Sequence, residues 1–266
     1  MFLGAVAVTA TAPTGCSASS STTTRSPAKS PRTTAAEPSA TPAHRTSPPA
    51  AGAAPGDSAS HGAESHSDLL HGPRTRDAVA LTFHGAGDPA LTRSALQHAR
   101  TAQSHLTVLA VGSWLAQNPS LAQQILAGGH ELGNHTWSHL TMTRLSALSA
   151  RDEVARAAAL LTRLTGSSGR WFRPSGTPRS TPVIRRAAAA AGYQRCLAYD
   201  VDPLDYTDPG SSVVAARVLG SARPGSIISL HLGHSGTVAA LPEILTGLHQ
   251  RGLAAVTVSH LVAGTA

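Results

Sequence analysis

A stretch of 52 residues near the N-terminus, residues 17–68, lacks the side chains from which hydrophobic cores are built. It contains no Val, Ile, Leu, Met, Phe, Trp, Tyr or Cys, and most of it is Ser, Thr, Pro and Ala. Such a segment cannot bury enough apolar surface to offset the conformational entropy that it would lose on ordering. We therefore expect residues 17–72 to form a disordered linker and residues 73–266 to form a folded domain.

The segment before this linker is typical of an export signal. Residues 1–12, MFLGAVAVTATA, are small and apolar, as in the hydrophobic region of a secretory signal peptide. The Gly15-Cys16 pair that follows is similar to a bacterial lipoprotein cleavage site. Residues 1–16 are therefore predicted to be a signal peptide or a lipoprotein signal, and both alternatives stay open. The predicted location is extracellular or in the cell envelope, with a lipid on Cys16 as the one possible membrane contact.

The folded part alternates short apolar runs with longer segments of helical periodicity. This alternation predicts a parallel α/β sheet with crossover helices, in about seven units, and in barrels of this kind the chemistry lies at the C-terminal ends of the strands. Strands are predicted at residues 78–83, 106–111, 196–201, 226–230 and 255–258, with a further short strand before residue 134. Helices are predicted at residues 89–103, 120–127, 151–164, 181–191, 212–221 and 238–251.

The positive charge of the chain does not indicate a nucleic-acid binder. The formal charge of +7 lies in residues 73–266, where 17 Arg face 10 Asp and Glu. These arginines are scattered, and aromatic residues make up only 3% of the chain. Nucleic-acid binders usually cluster their basic residues and interleave aromatic ones. We therefore expect a monomer with no nucleic-acid partner.

Two histidines four residues apart, His135 and His139, are the first candidates for chemistry. On a helical turn or a tight loop after a strand, both imidazoles can point at one metal ion. Because the chain contains 14 His, one such pair is close to chance expectation, and its context has to decide.

The sequence around this pair, GHELGNHTWSH at residues 129–139, resembles the second motif of the NodB-type polysaccharide deacetylases. Three more stretches resemble later motifs of that family in the same order, namely FRPSG at 172–176, DVDPLDY at 200–206 and IISLH at 227–231. The resemblance covers roughly residues 76–262. It implies a distorted (β/α)7 barrel and a metal-dependent hydrolase that removes acetyl groups, most naturally N-acetyl groups, from a polysaccharide such as peptidoglycan. Zn²⁺ is the default metal for such a site, with Co²⁺ or Ni²⁺ as alternatives.

The first motif departs from the family pattern. The family has TFDDGP after the first strand, with the first Asp as the catalytic base and the second as a metal ligand. This chain has TFHGAGDP at residues 82–89, so His84 occupies the base position and Gly85 the ligand position. Two assignments remain open. Either Asp88 joins the histidine pair as third ligand and His84 is the base, or His84 is the third ligand and Asp88 is the base.

The resemblance implies the remaining roles. His231 would be the general acid that protonates the departing amine, and either Asp202 or Asp205 would fix its tautomer. Arg173, which contacts the catalytic Asp in the family, would hold Asp88 or a substrate oxygen.

Two candidate sugar-stacking residues and two alternative functions complete the prediction. Trp137 and Tyr206 each offer an aromatic face on which a sugar ring could stack, and each could equally belong to the core.

The first alternative function is a catalytically dead barrel that still binds glycan. The second is a metal-dependent hydrolase of another non-peptide C–N bond.

Overall fold

The computed structural model describes residues 68–263. The predicted export signal, Cys16 and nearly all of the predicted linker lie outside the described residues. Within the described part, no helix combines the length and the apolar character needed to cross a membrane.

The described chain forms short parallel strands wrapped by helices. The strands are β1 (Ala78–Gly85), β2 (Thr107–Ala110), β3 (Glu131–Asn134), β4 (Ile227–His231) and β5 (Ala254–Ala255). The helices are α1 (Pro89–Thr101), α2 (Gly112–Gln117), α3 (Ser120–Ala127), α4 (Ala147–Thr165), α5 (Pro182–Ala190), α6 (Ser211–Ser221), α7 (Ser235–Gln250) and α8 (Val258–Leu261). Two short 3₁₀ turns lie at Met142–Arg144 and Asp205–Thr207.

The sheet has the order β3-β2-β1-β4, all parallel, and β5 pairs with β1. Isolated bridges extend the pairing beyond this path: Asn134 pairs with Phe172, Phe172 with Cys196, and Val201 with Ile228 of β4. The circuit from β3 round to β4 is therefore made by single bridges rather than by continuous strands. This is the parallel α/β architecture that the sequence predicts, and the sparse pairing fits a distorted barrel.

Strand β1 lies inside the sheet, between β2 and β4, and both of its faces are buried. Val79, Ala80, Leu81 and Phe83 are fully buried, as expected of a parallel strand covered on both sides. Since β1 pairs with both β2 and β4, the ends of these strands meet at one edge.

Several elements differ from the sequence-based prediction, and α4 and α7 begin at residues 147 and 235 instead of 151 and 238. The predicted strand at residues 196–201 is wrong: only isolated bridges form there, and the Asp200 carboxylate accepts a hydrogen bond from the backbone N–H of Ile227. The predicted strand at 255–258 shortens to β5, because Thr257 caps α8. The fold also starts before residue 73. The Leu69 N–H donates to the Cys196 carbonyl oxygen, and the Leu69 carbonyl oxygen accepts from the Ala198 N–H.

His130, which precedes β3, is expected to make the stability of this domain sensitive to acid. Its Nδ1 accepts a hydrogen bond from the backbone N–H of Leu106 at 3.1 Å, and burial lowers the pKa of His130 to about 4. The unfolded chain, with a pKa near 6.5, binds this proton more readily, so the free energy of unfolding should fall as the pH drops from about 6.5 towards 4. The variant His130→Asn keeps an acceptor but cannot titrate. We expect the free energy of unfolding of this variant, measured by urea denaturation between pH 7 and 4.5, to depend less steeply on pH than that of the unmodified chain. An equally steep dependence would exclude His130 as the cause.

Candidate metal and acid–base site

Three imidazoles converge where β1 and β3 end. His84 lies near the end of β1, and His135 directly follows β3. The possible ligand atoms of His84, His135 and His139 all lie within 4.8 Å of one another. The ring centroids of His84 and His135 are 4.2 Å apart, and those of His135 and His139 are 4.9 Å apart. The predicted convergence of the histidine pair is thus present, and His84 completes a set of three.

The hydrogen bonding of His135 prepares it to bind a metal. Its Nδ1 lies 2.9 Å from the backbone carbonyl oxygen of Arg173. A carbonyl can only accept, so Nδ1 must hold the proton and Nε2 must present a lone pair. Nε2 is buried and has no hydrogen-bond partner among the described residues. A buried acceptor without a partner is rare, and beside two other imidazoles it fits a divalent metal such as zinc.

Burial favours the neutral form of all three imidazoles. Burial lowers the pKa of both His84 and His135 well below the usual value, and neighbouring imidazoles lower each further. Burial likewise lowers the pKa of His139. Because only the neutral imidazole can coordinate a metal, the lowered pKa values favour the form of these side chains that metal binding requires.

Asp88 lies apart from the imidazole cluster. Its side chain caps α1 by accepting a hydrogen bond from the backbone N–H of Ala90 at 2.8 Å, and Asp88 is exposed. The loop before it is held in place, because Trp114 Nε1 donates to the carbonyl oxygen of Gly87 at 2.7 Å. The structure therefore does not match the assignment of Asp88 as third ligand. Nor does it bring Asp88 into the site as a base, whereas His84 lies within the imidazole cluster.

His231 and Asp205 form an oriented acid–base pair beside the cluster. His231 Nδ1 lies 2.8 Å from Asp205 Oδ1. The other carboxylate oxygen of Asp205 accepts from the backbone N–H of His231 at 2.8 Å and from Thr237 Oγ1 at 2.7 Å. The His231 and His84 ring centroids are 4.2 Å apart. Of the two predicted orienting residues, Asp205 makes this contact, whereas Asp202 accepts from the backbone N–H of Leu204 in a turn.

Arg173 is fully buried and lacks a carboxylate partner among the described residues. Its Nη2 donates to the carbonyl oxygen of Ala198 at 2.9 Å and its Nε to that of Leu197 at 3.4 Å, while Nη1 has no partner. Burial lowers the pKa of Arg173 to about 9. The prediction that Arg173 would hold Asp88 is not supported by these contacts. Its positive charge instead contributes to the lowered pKa of His84.

The two aromatic candidates differ in accessibility. The guanidinium carbon of Arg156 lies 4.5 Å from the centre of the Trp137 ring, and Trp137 packs against the hydrophobic core. Tyr206 is 46% exposed, with its ring centroid 5.3 Å from that of His231. Tyr206 is therefore the better sugar-stacking candidate.

Sequence reasoning missed Glu153, a buried carboxylate that contacts the His135–His139 loop. Its position on the helical face shared with Ala150, Val154 and Ala157, all buried, is the signal that could have revealed it.

Comparison with known proteins agrees with this geometry. The profile of the polysaccharide deacetylase family matches residues 71–196. A peptidoglycan-N-acetylglucosamine deacetylase of Bacillus cereus is 33% identical over 194 residues, which cover 71% of this chain and 90% of that protein.

Two solved structures show the same fold. Peptidoglycan deacetylase PdaC from Bacillus subtilis has a TM-score of 0.64 at 29% identity, covering 71% of this chain and 91% of the solved chain. The match covers 38% of the full length of PdaC. A CE4 family pseudoenzyme from Bacillus anthracis has a TM-score of 0.69 at 25% identity, covering 74% of this chain and 69% of that one. The chain thus belongs to the polysaccharide deacetylase family, the NodB-type carbohydrate esterases.

Proposed function

We propose that this protein is an exported, metal-dependent deacetylase that removes N-acetyl groups from peptidoglycan or a related cell-wall glycan. The observation on which this rests most is the buried, partnerless Nε2 of His135 among three imidazoles, beside a His231 oriented by Asp205. The deacetylases of Bacillus cereus and Bacillus subtilis support the glycan class. The apolar residues 1–12 support export, with Cys16 either lipidated or removed, and residues 17–68 would tether a monomeric domain to the envelope.

In this proposal His84, His135 and His139 hold the metal, with zinc preferred and cobalt or nickel acceptable. When bound, such a metal supplies a Lewis acid that polarises the acetyl carbonyl and makes an attacking water more acidic. Nε2 of His135 is already free for this purpose because the Arg173 carbonyl fixes the tautomer.

His231 is the group that we assign to proton transfer. As neutral imidazole it accepts the proton of the attacking water while the water oxygen bonds to the acetyl carbon, and Asp205 stabilises the imidazolium that results. His231 then gives this proton to the amine nitrogen as the C–N bond breaks, which leaves a free amine and acetic acid, and the acid releases its remaining proton to solvent as acetate. Both steps fall to His231 because His84 lies among the ligands and Asp88 caps a helix. Tyr206 provides the adjoining sugar-stacking face.

One observation favours a second candidate, a glycan-binding barrel without catalysis. The first motif contributes no carboxylate to the imidazole cluster, and Arg173 Nη1 has no hydrogen-bond partner in the part of the chain that the structure describes. A buried guanidinium that forms no direct ion pair within residues 68–263 is costly, as expected where a catalytic Asp has been lost. The structural similarity to a CE4 family pseudoenzyme points the same way.

Metal content and acetate release distinguish these functions. The purified chain is assayed for bound metal by elemental analysis and for acetate released from peptidoglycan, chitooligosaccharide and acetylxylan. About one metal per chain with acetate from peptidoglycan supports the deacetylase. Retention on peptidoglycan without acetate supports the binding module. Bound metal without acetate release and without retention on peptidoglycan favours hydrolysis of another non-peptide C–N bond. Absence of both metal and acetate overturns the proposed hydrolase.

A further inference from the structure

The loop that joins His135 to His139 has an unfavourable backbone conformation. Thr136 has φ = 68° and His139 has φ = 58°, in the left-handed region where residues with a Cβ are strained. A residue with a Cβ is strained in this region and persists there only where its surroundings enforce the conformation. The loop therefore depends on contacts from neighbouring elements to keep the two imidazoles convergent.

Those contacts come from both sides of the loop. On one side, the first two residues of α2 bind its carbonyls: Gly112 N–H donates to the Thr136 oxygen at 2.8 Å, and Ser113 N–H to the Trp137 oxygen at 2.9 Å. On the other side, Glu153 of α4 binds its N–H groups. One carboxylate oxygen, Oε2, accepts from Trp137 N at 3.0 Å and from Ser138 N at 2.8 Å.

Glu153 has no other evident reason to be buried. It is 5% exposed, and within residues 68–263 no arginine or histidine forms an ion pair with it. Burying a carboxylate is costly unless hydrogen bonds compensate for lost hydration. The compensation here comes from the loop itself, through two charge-assisted bonds to successive N–H groups.

We infer that Glu153 is a positioning residue for the metal centre, which fixes the His135–His139 loop and hence the direction of the exposed His139 imidazole. This inference rests on the proposed function. Partners that orient metal ligands typically change metal affinity about 10- to 100-fold when removed. Glu153 acts one step further out, through the backbone between two ligands, so we expect Glu153→Ala to weaken metal binding at least about 10-fold.

The chain offers a matched control at the opposite end of the strands. Glu131, the first residue of β3, also accepts several hydrogen bonds, from Thr107 Oγ1 at 3.0 Å and from Ser259 N–H and Oγ. Glu131→Ala removes a comparable set of bonds far along the strand from the imidazoles. Co²⁺ is titrated into the full chain, Glu153→Ala, Glu153→Gln and Glu131→Ala, with binding followed by visible absorption. We expect Glu153→Gln, whose amide oxygen can still accept, to retain most of the affinity, and Glu131→Ala to stay within about twofold of the unmodified chain.

A second measurement keeps the inference separate from the proposed function. Amide exchange at Trp137 and Ser138 should speed up in metal-free Glu153→Ala and remain slow in Glu131→Ala. If Glu153→Ala does not fold, Glu153→Asp, whose shorter side chain cannot span the gap, replaces it. Equal loss of Co²⁺ affinity in Glu153→Ala and Glu131→Ala overturns the inference, and so does unchanged affinity in Glu153→Ala. If the unmodified chain binds no Co²⁺, contains no other metal and releases no acetate, the proposed function fails, and unchanged exchange at the two amides would reject the role of Glu153 as well.

Discussion

Replacing His135 by alanine is expected to abolish metal binding and acetate release together. His135 is the buried member of the three-imidazole cluster, and its Nε2 has no hydrogen-bond partner in the described part of the chain. Loss of an outer partner of a metal ligand typically weakens binding by about 10- to 100-fold, so loss of the ligand itself should exceed about 100-fold. The measurements are metal content after dialysis, Co²⁺ affinity and acetate release from peptidoglycan.

A matched histidine substitution shows whether the loss is specific. His249 lies in the last turn of α7 and is exposed, so His249→Ala should leave metal content and rate within about twofold of the unmodified chain. The buried His135→Ala also creates a cavity, and thermal unfolding must therefore confirm that the variant is folded. A folded His135→Ala that still binds about one metal per chain would exclude His135 as a ligand.

The sequence predicts the strands that carry this site because the apolar run that marks each strand is a local pattern. The apolar runs before His84 and His231 predict buried strands, and parallel strands bring their C-terminal ends to one edge. The register that pairs His84 with His231 confirms that expectation. The role of Asp88 was harder, since Gly85 and Gly87 leave its loop free on sequence grounds. An Asp followed by Pro at the start of a helix is nevertheless a standard N-cap pattern, and here it dominates.

Other features depend on contacts that the sequence does not display. The predicted strand at 196–201 is apolar enough, yet it forms only isolated bridges. The Asp200 carboxylate accepts a hydrogen bond from the backbone N–H of Ile227 and so replaces a backbone acceptor beside β4. The short helix α2 was missed since six residues are too few for a helical period to be evident. The choice of Asp205 over Asp202 follows from a 3₁₀ turn that buries one carboxylate and leaves the other exposed. These outcomes are set by tertiary contacts between segments far apart in the chain.

Replacing His231 by glutamine is expected to lower the rate of acetate release by about 10² to 10⁴, the usual contribution of a general acid or base. Metal affinity should change by less than about threefold, because His231 is the acid–base partner and not one of the three proposed ligands. Asp205→Asn should also slow the reaction, by at least about tenfold, since an amide cannot stabilise the imidazolium and can enforce the wrong tautomer.

Asp202→Asn is the control that separates chemistry from charge. Asp202 lies three residues from Asp205 but is exposed, and its carboxylate accepts from the backbone N–H of Leu204 and interacts with Tyr199, whereas Asp205 is the carboxylate bonded to His231. We expect its rate to stay within about threefold of the unmodified chain, with unchanged thermal unfolding. A His231→Gln variant that keeps more than a tenth of the activity would remove His231 from proton transfer. Equal losses in Asp202→Asn and Asp205→Asn would show that net charge near the site, rather than the Asp205–His231 hydrogen bond, controls the rate.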